Sequence, residues 1–348
     1  MNPVVWALLL SSLGLGTTLT FASSHWLLAW MGLELNTLAI LPLMTQQHHP
    51  RAAEAATKYF ITQAAAAAMI LFACTMNAWK TGLWNIDNLL EPFANNVLMM
   101  ALALKTGIAP MHFWVPEVIQ GLDLTTGLFV LTWQKLAPFI LIIQTAQNIN
   151  PELLTVLAIT SATVGGWGAL NQTQLRKIMA YSSIAHMGWM IVIIQYAPQL
   201  ALIALSIYII LTAATFLTLK TFMSTKVNML STAWSKNPTL MTVTALTLLS
   251  LGGLPPLTGF MSKWLILLEL TKQNMFIIAT IMVMASMITL YIYLRLIYIL
   301  ALTIFPNTTN STTPWRTKTS QKTLPLAMFT TAAIGLLPMT PAALMMFY

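Results

Sequence analysis

Residues 101–110 read ALALKTGIAP, which places a lysine, a glycine and a proline next to one another inside a long apolar run. Proline lacks a backbone N–H and clashes with the preceding turn, so a helix through Pro110 must be interrupted. In hydrocarbon, interrupted backbone is tolerated only where protein or water satisfies its polar groups. The stretch therefore predicts a broken membrane helix, with Lys105 beside the break.

A second stretch of the same kind occurs at residues 251–263, which read LGGLPPLTGFMSK. Pro255 and Pro256 predict a second break, again with a lysine, Lys263, nearby. The two broken helices lie five apart in our helix order. Because five is odd, two five-helix repeats would have opposite orientations in the membrane. Paired broken helices in inverted repeats indicate a transport site near the midplane, although glycine and proline kinks are common in any membrane helix.

The composition requires a membrane. Hydrophobic residues make up 57% of the 348 and charged residues 7%, against about 25% charged in an average soluble domain. We predict an all-α integral membrane protein of about eleven helices, two of them broken: two inverted repeats at residues 1–148 and 149–305, and a final helix within 323–348. The spans are 3–21, 26–44, 58–79, 97–115, 124–144, 151–170, 178–196, 199–222, 240–270, 274–305 and 324–347.

The distribution of charge predicts the orientation of the chain. The net charge of +8 is spread singly over short polar gaps and does not form a nucleic-acid-binding patch. With eleven spans, most loop cations share one face with the N-terminus, and Lys80 and Lys272 lie on the other. The positive-inside rule puts the N-terminus on the cytosol-like or matrix side and the C-terminus opposite. The cations of the first face are Arg51, Lys58 at its border, Arg176, Lys177, Lys226, Lys236, Arg316, Lys318 and Lys322.

Several kinds of chemistry are not supported by the residues. The single cysteine, Cys74, excludes a disulfide framework, a thiolate zinc site and a protein-held iron–sulfur cluster. Neither a dinucleotide-binding glycine motif nor a P-loop is present. His48 and His49 lie in a loop without further ligands nearby, so a metal site is not predicted. Any redox chemistry of the system is expected in another chain.

Four charges lie deep within predicted spans: Glu34, Lys105, Lys135 and Lys263. A charge at the bilayer centre costs at least ~2.5–3.5 kcal/mol, so such residues are functional candidates. One alternative is a structural ion pair that joins helices. However, three lysines and one glutamate cannot neutralise one another, so the surplus lysines must be neutral or stand in water. A lysine balanced between those states suits a proton relay.

Histidines provide secondary candidates. His112 follows the first break, and His186 lies in the seventh predicted helix. Imidazole titrates near neutrality and could bridge gaps in a relay, but an isolated histidine is often a packing residue. Glu117, Asp123 and Glu152 fall at helix ends, where a solvated role is expected.

Three motifs carry a family resemblance. They are residues 30–36 (WMGLELN), 105–117 (KTGIAPMHFWVPE), and 252–260 with Lys263. Together they resemble the antiporter-like membrane-arm subunits of respiratory complex I, a family related to cation/proton antiporters, and the resemblance covers the whole chain. Eleven helices match the animal mitochondrial form, which lacks the first three of fourteen.

The resemblance implies roles for the deep charges. Glu34 and Lys105 would form a glutamate–lysine couple, Lys135 would be the central relay, and Lys263 the lysine of the second broken helix. Protons would cross the mitochondrial inner membrane, with the N-terminus in the matrix and the C-terminus on the intermembrane side. No cofactor is expected in this chain, because NADH, FMN, iron–sulfur clusters and ubiquinone belong to other subunits of the complex.

The resemblance also implies partners, namely other membrane-arm subunits, including related antiporter-like subunits, and phospholipids such as cardiolipin. Two alternatives stay open on the sequence alone. The chain could be a free-standing cation/proton antiporter of the same fold, or a passive scaffold with a dead channel.

Overall fold

The structure, a computed structural model, describes residues 3–46, 48–86, 91–302, 323–340, 342 and 345, without the side chains of residues 235 and 236. Within these ranges the chain is all-helical, with sixteen α-helices and two isolated β-bridges. The helices are α1 Pro3–Ala22, α2 Trp26–Met44, α3 Pro50–Thr81, α4 Pro92–Thr106, α5 Trp114–Gly121, α6 Leu124–Leu131, α7 Trp133–Thr145, α8 Pro151–Ala169, α9 Leu175–Ile194, α10 Pro198–Phe222, α11 Val227–Ser231, α12 Ala233–Lys236, α13 Pro238–Gly252, α14 Thr258–Lys272, α15 Phe276–Leu302 and α16 Leu324–Gly335.

The chain divides into two compact units, residues 1–161 and 162–348. In the first unit, α1 and α2 approach closely at Gly16 and Gly32. A Cβ on Gly16 would lie 2.9 Å from the carbonyl oxygen of Gly32, and one on Gly32 would lie 2.8 Å from that of Gly16. Small residues allow such close backbone contact between membrane helices.

The first predicted break lies at the end of α4. Gly107 has a φ of 77°, a left-handed conformation that glycine adopts without a steric penalty. The N–H groups of Gly107 and Ile108 both donate to the carbonyl of Ala103, each at 2.9 Å. The indole N–H of Trp114, the first residue of α5, donates to the carbonyl of Leu104 at 2.9 Å. The backbone groups freed by the break are therefore satisfied from within the protein, as hydrocarbon requires.

Replacing Trp114 with phenylalanine tests this arrangement. Phenylalanine keeps most of the half-buried ring but removes the donor to Leu104, which leaves a partly buried carbonyl short of a partner. We expect a loss of about 1–3 kcal/mol of stability, measured as a lower temperature at which the assembled complex disappears from a native gel. Trp167→Phe is the control, because that side chain is 76% exposed. Equal dissociation temperatures for the two variants would contradict the capping role.

In the second unit, α13 and α14 form the second broken segment. The helix α13 ends at Gly252, Gly253 has a φ of 80°, and α14 starts at Thr258. Gly259 lies directly against the carbonyl of Ser250, so close that no side chain fits at that position. The exposed prolines Pro255 and Pro256 lie in the connection. Their missing N–H groups therefore interrupt no helical hydrogen bonds there.

Some predicted boundaries were wrong. The fifth predicted helix is divided at Thr132 into α6 and α7, and the short helices α11 and α12 occupy a segment predicted as loop. The helix α16 ends at Gly335 and is followed by a 3₁₀ turn at Leu337–Met339, where Pro338 has no N–H to continue the helical hydrogen bonds. Residues 303–305, Arg316, Lys318 and Lys322 lie outside the described residues.

Seven described helical segments are long and apolar enough to cross a membrane, counting residues 124–148 as one. The two broken segments fall outside that set because their helices are short. The helix α8 falls outside it because it is less apolar. The helical membrane class is therefore confirmed, and the number of eleven spans stays a prediction. The seven are Pro3–Ala22, Trp26–Met44, Pro50–Thr81, Leu124–Asn148, Leu175–Ile194, Pro198–Phe222 and Phe276–Leu302.

Candidate buried lysine sites

The first unit brings two of the predicted lysines to one small cavity. Lys105 in α4 is 6% exposed and Lys135 in α7 is 3% exposed, and both line the same cavity together with Asn36 and Gln63. The cavity has room for about one water molecule. Gln134 also lines it, so two amines and three amides surround a space that can hold water.

Several polar groups around this cavity have no protein partner. The amine of Lys105, both amide atoms of Asn36 and the amide nitrogen of Gln63 are buried without a hydrogen bond among the described residues. An unsatisfied buried polar group costs about 1–3 kcal/mol. Buried water normally satisfies such groups and makes about three hydrogen bonds to them. The convergence of these groups on one cavity therefore indicates a hydrated site.

Glu34 lies near this cavity, on the middle of α2, and is half-buried. The hydroxyl of Thr37 donates to its carboxylate at 3.4 Å. The carboxylate interacts electrostatically with Lys105 and Tyr59, but it forms no ion pair within 4.0 Å among the described residues. In this structure the predicted Glu34–Lys105 couple acts through space, not through a direct contact.

Lys135 lies in the first turn of α7, not at the centre of one long helix as predicted. The hydroxyl of Thr132 donates to the carbonyl of Leu128 at 2.7 Å, which closes the end of α6. Pro138, inside α7, cannot donate to the carbonyl one turn before it. The side chain of Gln134 donates to the carbonyl of Asn36 at 3.2 Å, which joins α7 to α2. Lys135 is thus positioned by a third break.

In the second unit, Lys263 belongs to α14, and its amine reaches the end of α13. Its amine donates to the carbonyl of Gly252 at 2.9 Å, and its chain packs against Gly253, where a Cβ would be 3.0 Å from its Cδ. A cation is stabilised at a helix C-terminus by the macrodipole. The amine also lies 6.0 Å from the ring centroid of Trp189. This lysine therefore has direct partners, unlike the amine of Lys105.

The structure brings His186 and Lys263 together, because both line one cavity of the second unit with Ser262 and Tyr208. The rings of His186 and Tyr208 are 5.6 Å apart. This cavity also has room for about one water molecule. A titratable amine, an imidazole and two hydroxyl groups surround it.

His112 lies elsewhere, in the connection between α4 and α5. It is 5% exposed, and its ring nitrogen Nδ1 is 3.3 Å from the carbonyl of Pro110. It also contacts the ring of Phe113, at 4.4 Å between centroids. It is not among the residues that line the Lys105 cavity, so its geometry favours packing beside the break.

The uncharged members of these sites were missed by sequence reasoning, which ranked residues by charge. Asn36, Tyr59, Gln63, Gln134 and Tyr208 all line the cavities. A usable signal was present, since amide and hydroxyl groups inside apolar spans carry a desolvation cost much as charges do.

Comparisons with known proteins support the family resemblance of the sequence motifs. The model of the NADH:quinone oxidoreductase/Mrp antiporter transmembrane family matches residues 23–289, and that of the NADH dehydrogenase subunit 2 C-terminus matches residues 290–344. The NADH-ubiquinone oxidoreductase chain 2 of Carassius auratus is 73% identical, over 99% of each chain. That of Danio rerio is 63% identical, also over 99% of each chain.

Solved structures agree. A chain of Thermus thermophilus respiratory complex I is 29% identical with a TM-score of 0.84, over 95% of this chain and 77% of its own. A chain of the Mrp complex from Dietzia sp. DQ12-45-1b is 15% identical with a TM-score of 0.79, over 96% of this chain and 75% of its own, and shows the fold alone.

The chain belongs to the NADH:quinone oxidoreductase/Mrp antiporter transmembrane family. Within it, the chain is a proton-translocating membrane-arm subunit of mitochondrial complex I, of the NADH-ubiquinone oxidoreductase chain 2 type. The predicted resemblance is confirmed, and the free-standing antiporter is the less supported alternative. The cofactors of complex I lie in other subunits, and membrane-arm subunits are the partners.

Proposed function

We propose that this chain moves protons through a relay of Glu34, Lys105, Lys135 and Lys263, with His186 as an accessory member beside Lys263. The observation that carries the proposal is the amine of Lys105, which is buried without a hydrogen bond to any described residue, in a cavity that it shares with Lys135. A purely structural lysine would be expected to have a carbonyl or carboxylate partner. A buried amine that faces water instead can exchange a proton.

The first step of the proposed relay is electrostatic. Two unit charges about 6 Å apart interact by about 3 kcal/mol at an effective dielectric constant of ~20. Moving one charge against 100 mV requires ~2.3 kcal/mol. A change of charge near Glu34 therefore alters the proton affinity of Lys105 by an amount comparable to the energy that pumping requires. Water in the shared cavity then passes the proton to Lys135.

Lys263 is the proposed release point. Its amine donates to the carbonyl of Gly252 at the negative end of α13. The neighbouring His186 and a water-sized cavity provide a route away from the amine. Release would follow when a new charge arrives nearby and offsets the stabilisation given by the end of α13.

The proposal includes eleven membrane spans with repeats at residues 1–148 and 149–305 and a final helix within 323–348. One β-bridge in each unit supports the division into two repeats. A β-bridge in the first unit joins His25, before α2, to Asn85, after α3, and one in the second joins Gln174, before α9, to Lys226, after α10. The opposite orientation of the repeats rests on the odd number of helices, five, in each repeat.

The proposed orientation in the membrane follows from the count of eleven spans. The N-terminus would face the matrix and the C-terminus the intermembrane side. The related antiporter-like subunits are the proposed neighbours, and phospholipids such as cardiolipin would cover apolar faces such as that of α1, where Val4 is 63% and Leu8 63% exposed. NADH, FMN, iron–sulfur clusters and ubiquinone would act in other subunits, so this chain pumps without oxidising a substrate.

Lys135→Met in the assembled complex tests the relay. Methionine keeps the length of the side chain but cannot carry a proton. We expect the number of protons moved per NADH to fall in proteoliposomes, and NADH oxidation that is coupled to pumping to slow by at least roughly tenfold. Lys220→Met is the matched control, because Lys220 is exposed at the end of α10 and is expected to leave both quantities unchanged.

The opposite result identifies the scaffold alternative. Full NADH oxidation with unchanged proton stoichiometry in the Lys135→Met complex would mean that the channel is passive, and the relay would be rejected. A band of normal size on a native gel is required of both variants, so that a loss of assembly is not read as a loss of pumping.

A further inference from the structure

A third small cavity lies in the second unit, away from Lys263. It is lined by Tyr293 and Thr289 of α15 and by Ser182 of α9, together with Ile178 and small residues of α8. It has room for about one water molecule. Three hydroxyl groups around such a space match the two to four polar partners that a buried water requires.

Tyr293 is the unusual member of this cavity. Its side chain is 2% exposed, and its hydroxyl is close to Ser182 but is buried without a hydrogen bond of good geometry to any described residue. A tyrosine used only for packing could be a phenylalanine, which avoids burying an unsatisfied hydroxyl. The hydroxyl therefore indicates a bound water as its partner.

Polar groups connect this cavity to the one that holds Lys263. Tyr208 of α10 interacts electrostatically with Tyr293 and hydrogen-bonds to Ser183. The same tyrosine lines the Lys263 cavity and lies against His186, at 5.6 Å between ring centroids. Ser182 and His186 are four residues apart on α9 and so share one face of that helix. The two cavities are thus neighbours along α9.

We propose that Tyr208 and Tyr293 form a hydroxyl branch of the proton path, which links the Lys263 cavity to the hydrated pocket between α8, α9 and α15. The branch rests on the proposed relay, because it ends at Lys263. Neither the sequence motifs nor the deep charges point to these tyrosines.

Proton transfer along the branch needs no ionised tyrosine. The oxygen of each hydroxyl accepts a proton from the water or hydroxyl on one side while its own proton passes to an acceptor on the other. One O–H bond forms as one breaks, and the tyrosine ends neutral, with its hydrogen bond turned around. Phenylalanine has the same ring but neither the donor nor the acceptor, so it interrupts the branch and keeps the packing.

The pocket lies toward one end of the second unit. Its lining includes Ala169, the last residue of α8, and Ile178, in the first turn of α9. At the same end, Arg295 of α15 donates to the carbonyl of Leu170 at 2.6 Å. The branch therefore leads from Lys263 toward the connection between α8 and α9. The proposed topology puts this connection on the matrix face, so the branch would bring protons to Lys263 and would not release them.

Tyr293→Phe in the assembled complex tests the branch, with Tyr298→Phe as the matched control. Tyr298 is on the same helix and 60% exposed. We expect Tyr293→Phe to lower the rate of proton uptake in proteoliposomes severalfold and to change its kinetic isotope effect in heavy water, whereas Tyr298→Phe changes neither. Tyr208→Phe should reproduce the effect, and it also serves if Tyr293→Phe does not assemble.

The outcomes separate the branch from the relay. Lys263→Met, measured in parallel, is expected to lower proton translocation. If it does so while Tyr293→Phe and Tyr208→Phe assemble and pump at the rate and isotope effect of the unaltered complex, the branch is rejected and the relay stands. If Lys263→Met itself leaves translocation unchanged, the relay is rejected, and the branch with it.

Discussion

Lys105→Met is expected to abolish most proton translocation by this subunit while leaving the assembled complex at least as heat-stable as before. The amine of Lys105 is buried and has no hydrogen-bond partner in the part of the chain that the structure describes, so it costs stability in the resting protein. Methionine has a similar length and no charge, and apolar replacement of a buried charge is often neutral or stabilising. Loss of function with no loss of stability is the mark of a residue kept for its chemistry.

The size of the functional effect follows from the position of this lysine. Lys105 interacts with Glu34 and also lines the cavity of Lys135. Without it, a charge change at Glu34 has no proton to move. We expect coupled NADH oxidation to fall by at least roughly tenfold, measured in proteoliposomes together with the dissociation temperature on native gels.

Glu34→Gln provides a graded comparison for this prediction. The amide keeps the shape of the carboxylate but removes its charge, so it should weaken pumping less than Lys105→Met does. A Lys105→Met complex that pumps normally, or that pumps poorly only because it dissociates at a lower temperature, would contradict the functional account of this lysine.

Gly259→Ala is expected to have the largest effect on structure. A Cβ at this position would overlap the carbonyl of Ser250, which belongs to the backbone of α13 and cannot turn aside. The neighbouring side chain of Leu211 would be 3.3 Å away, so it would be crowded as well. Forced overpacking of this kind costs about 1–3 kcal/mol or more, and we expect a clear loss of assembled complex.

Gly335→Ala is the matched control, because a Cβ there meets nothing within 4 Å. Both variants make the same chemical change in the second unit. We expect a normal amount of complex on native gels for Gly335→Ala and a strongly reduced amount for Gly259→Ala. Equal amounts for the two would mean that α13 and α14 are not packed as closely as this structure has them.

Much of the fold could be predicted because its strongest signals are local. The break after α4 follows from Gly107 and Pro110, and the break after α13 from Gly253 and its two following prolines. Such residues dictate the backbone whatever surrounds them. The position of Lys105 deep within a membrane span could also be predicted, from the apolar residues on either side of it.

The remaining features depend on tertiary packing. The break at Thr132 has no glycine, and Pro138 lies inside α7 more than a turn further on, so the fifth helix read as continuous. The separation of Glu34 from Lys105 depends on how α2 and α4 pack. The orphaned amides of Asn36 and Gln63 become informative only once the structure brings them to the cavity of Lys105.

The central claim is that buried lysines of this chain carry protons that NADH oxidation drives across the membrane. Its most direct test is the number of protons moved per NADH oxidised by proteoliposomes that contain the Lys263→Met complex. The account predicts a number below that of the unaltered complex, with a normal band on a native gel. The same number of protons at full NADH oxidation would contradict it.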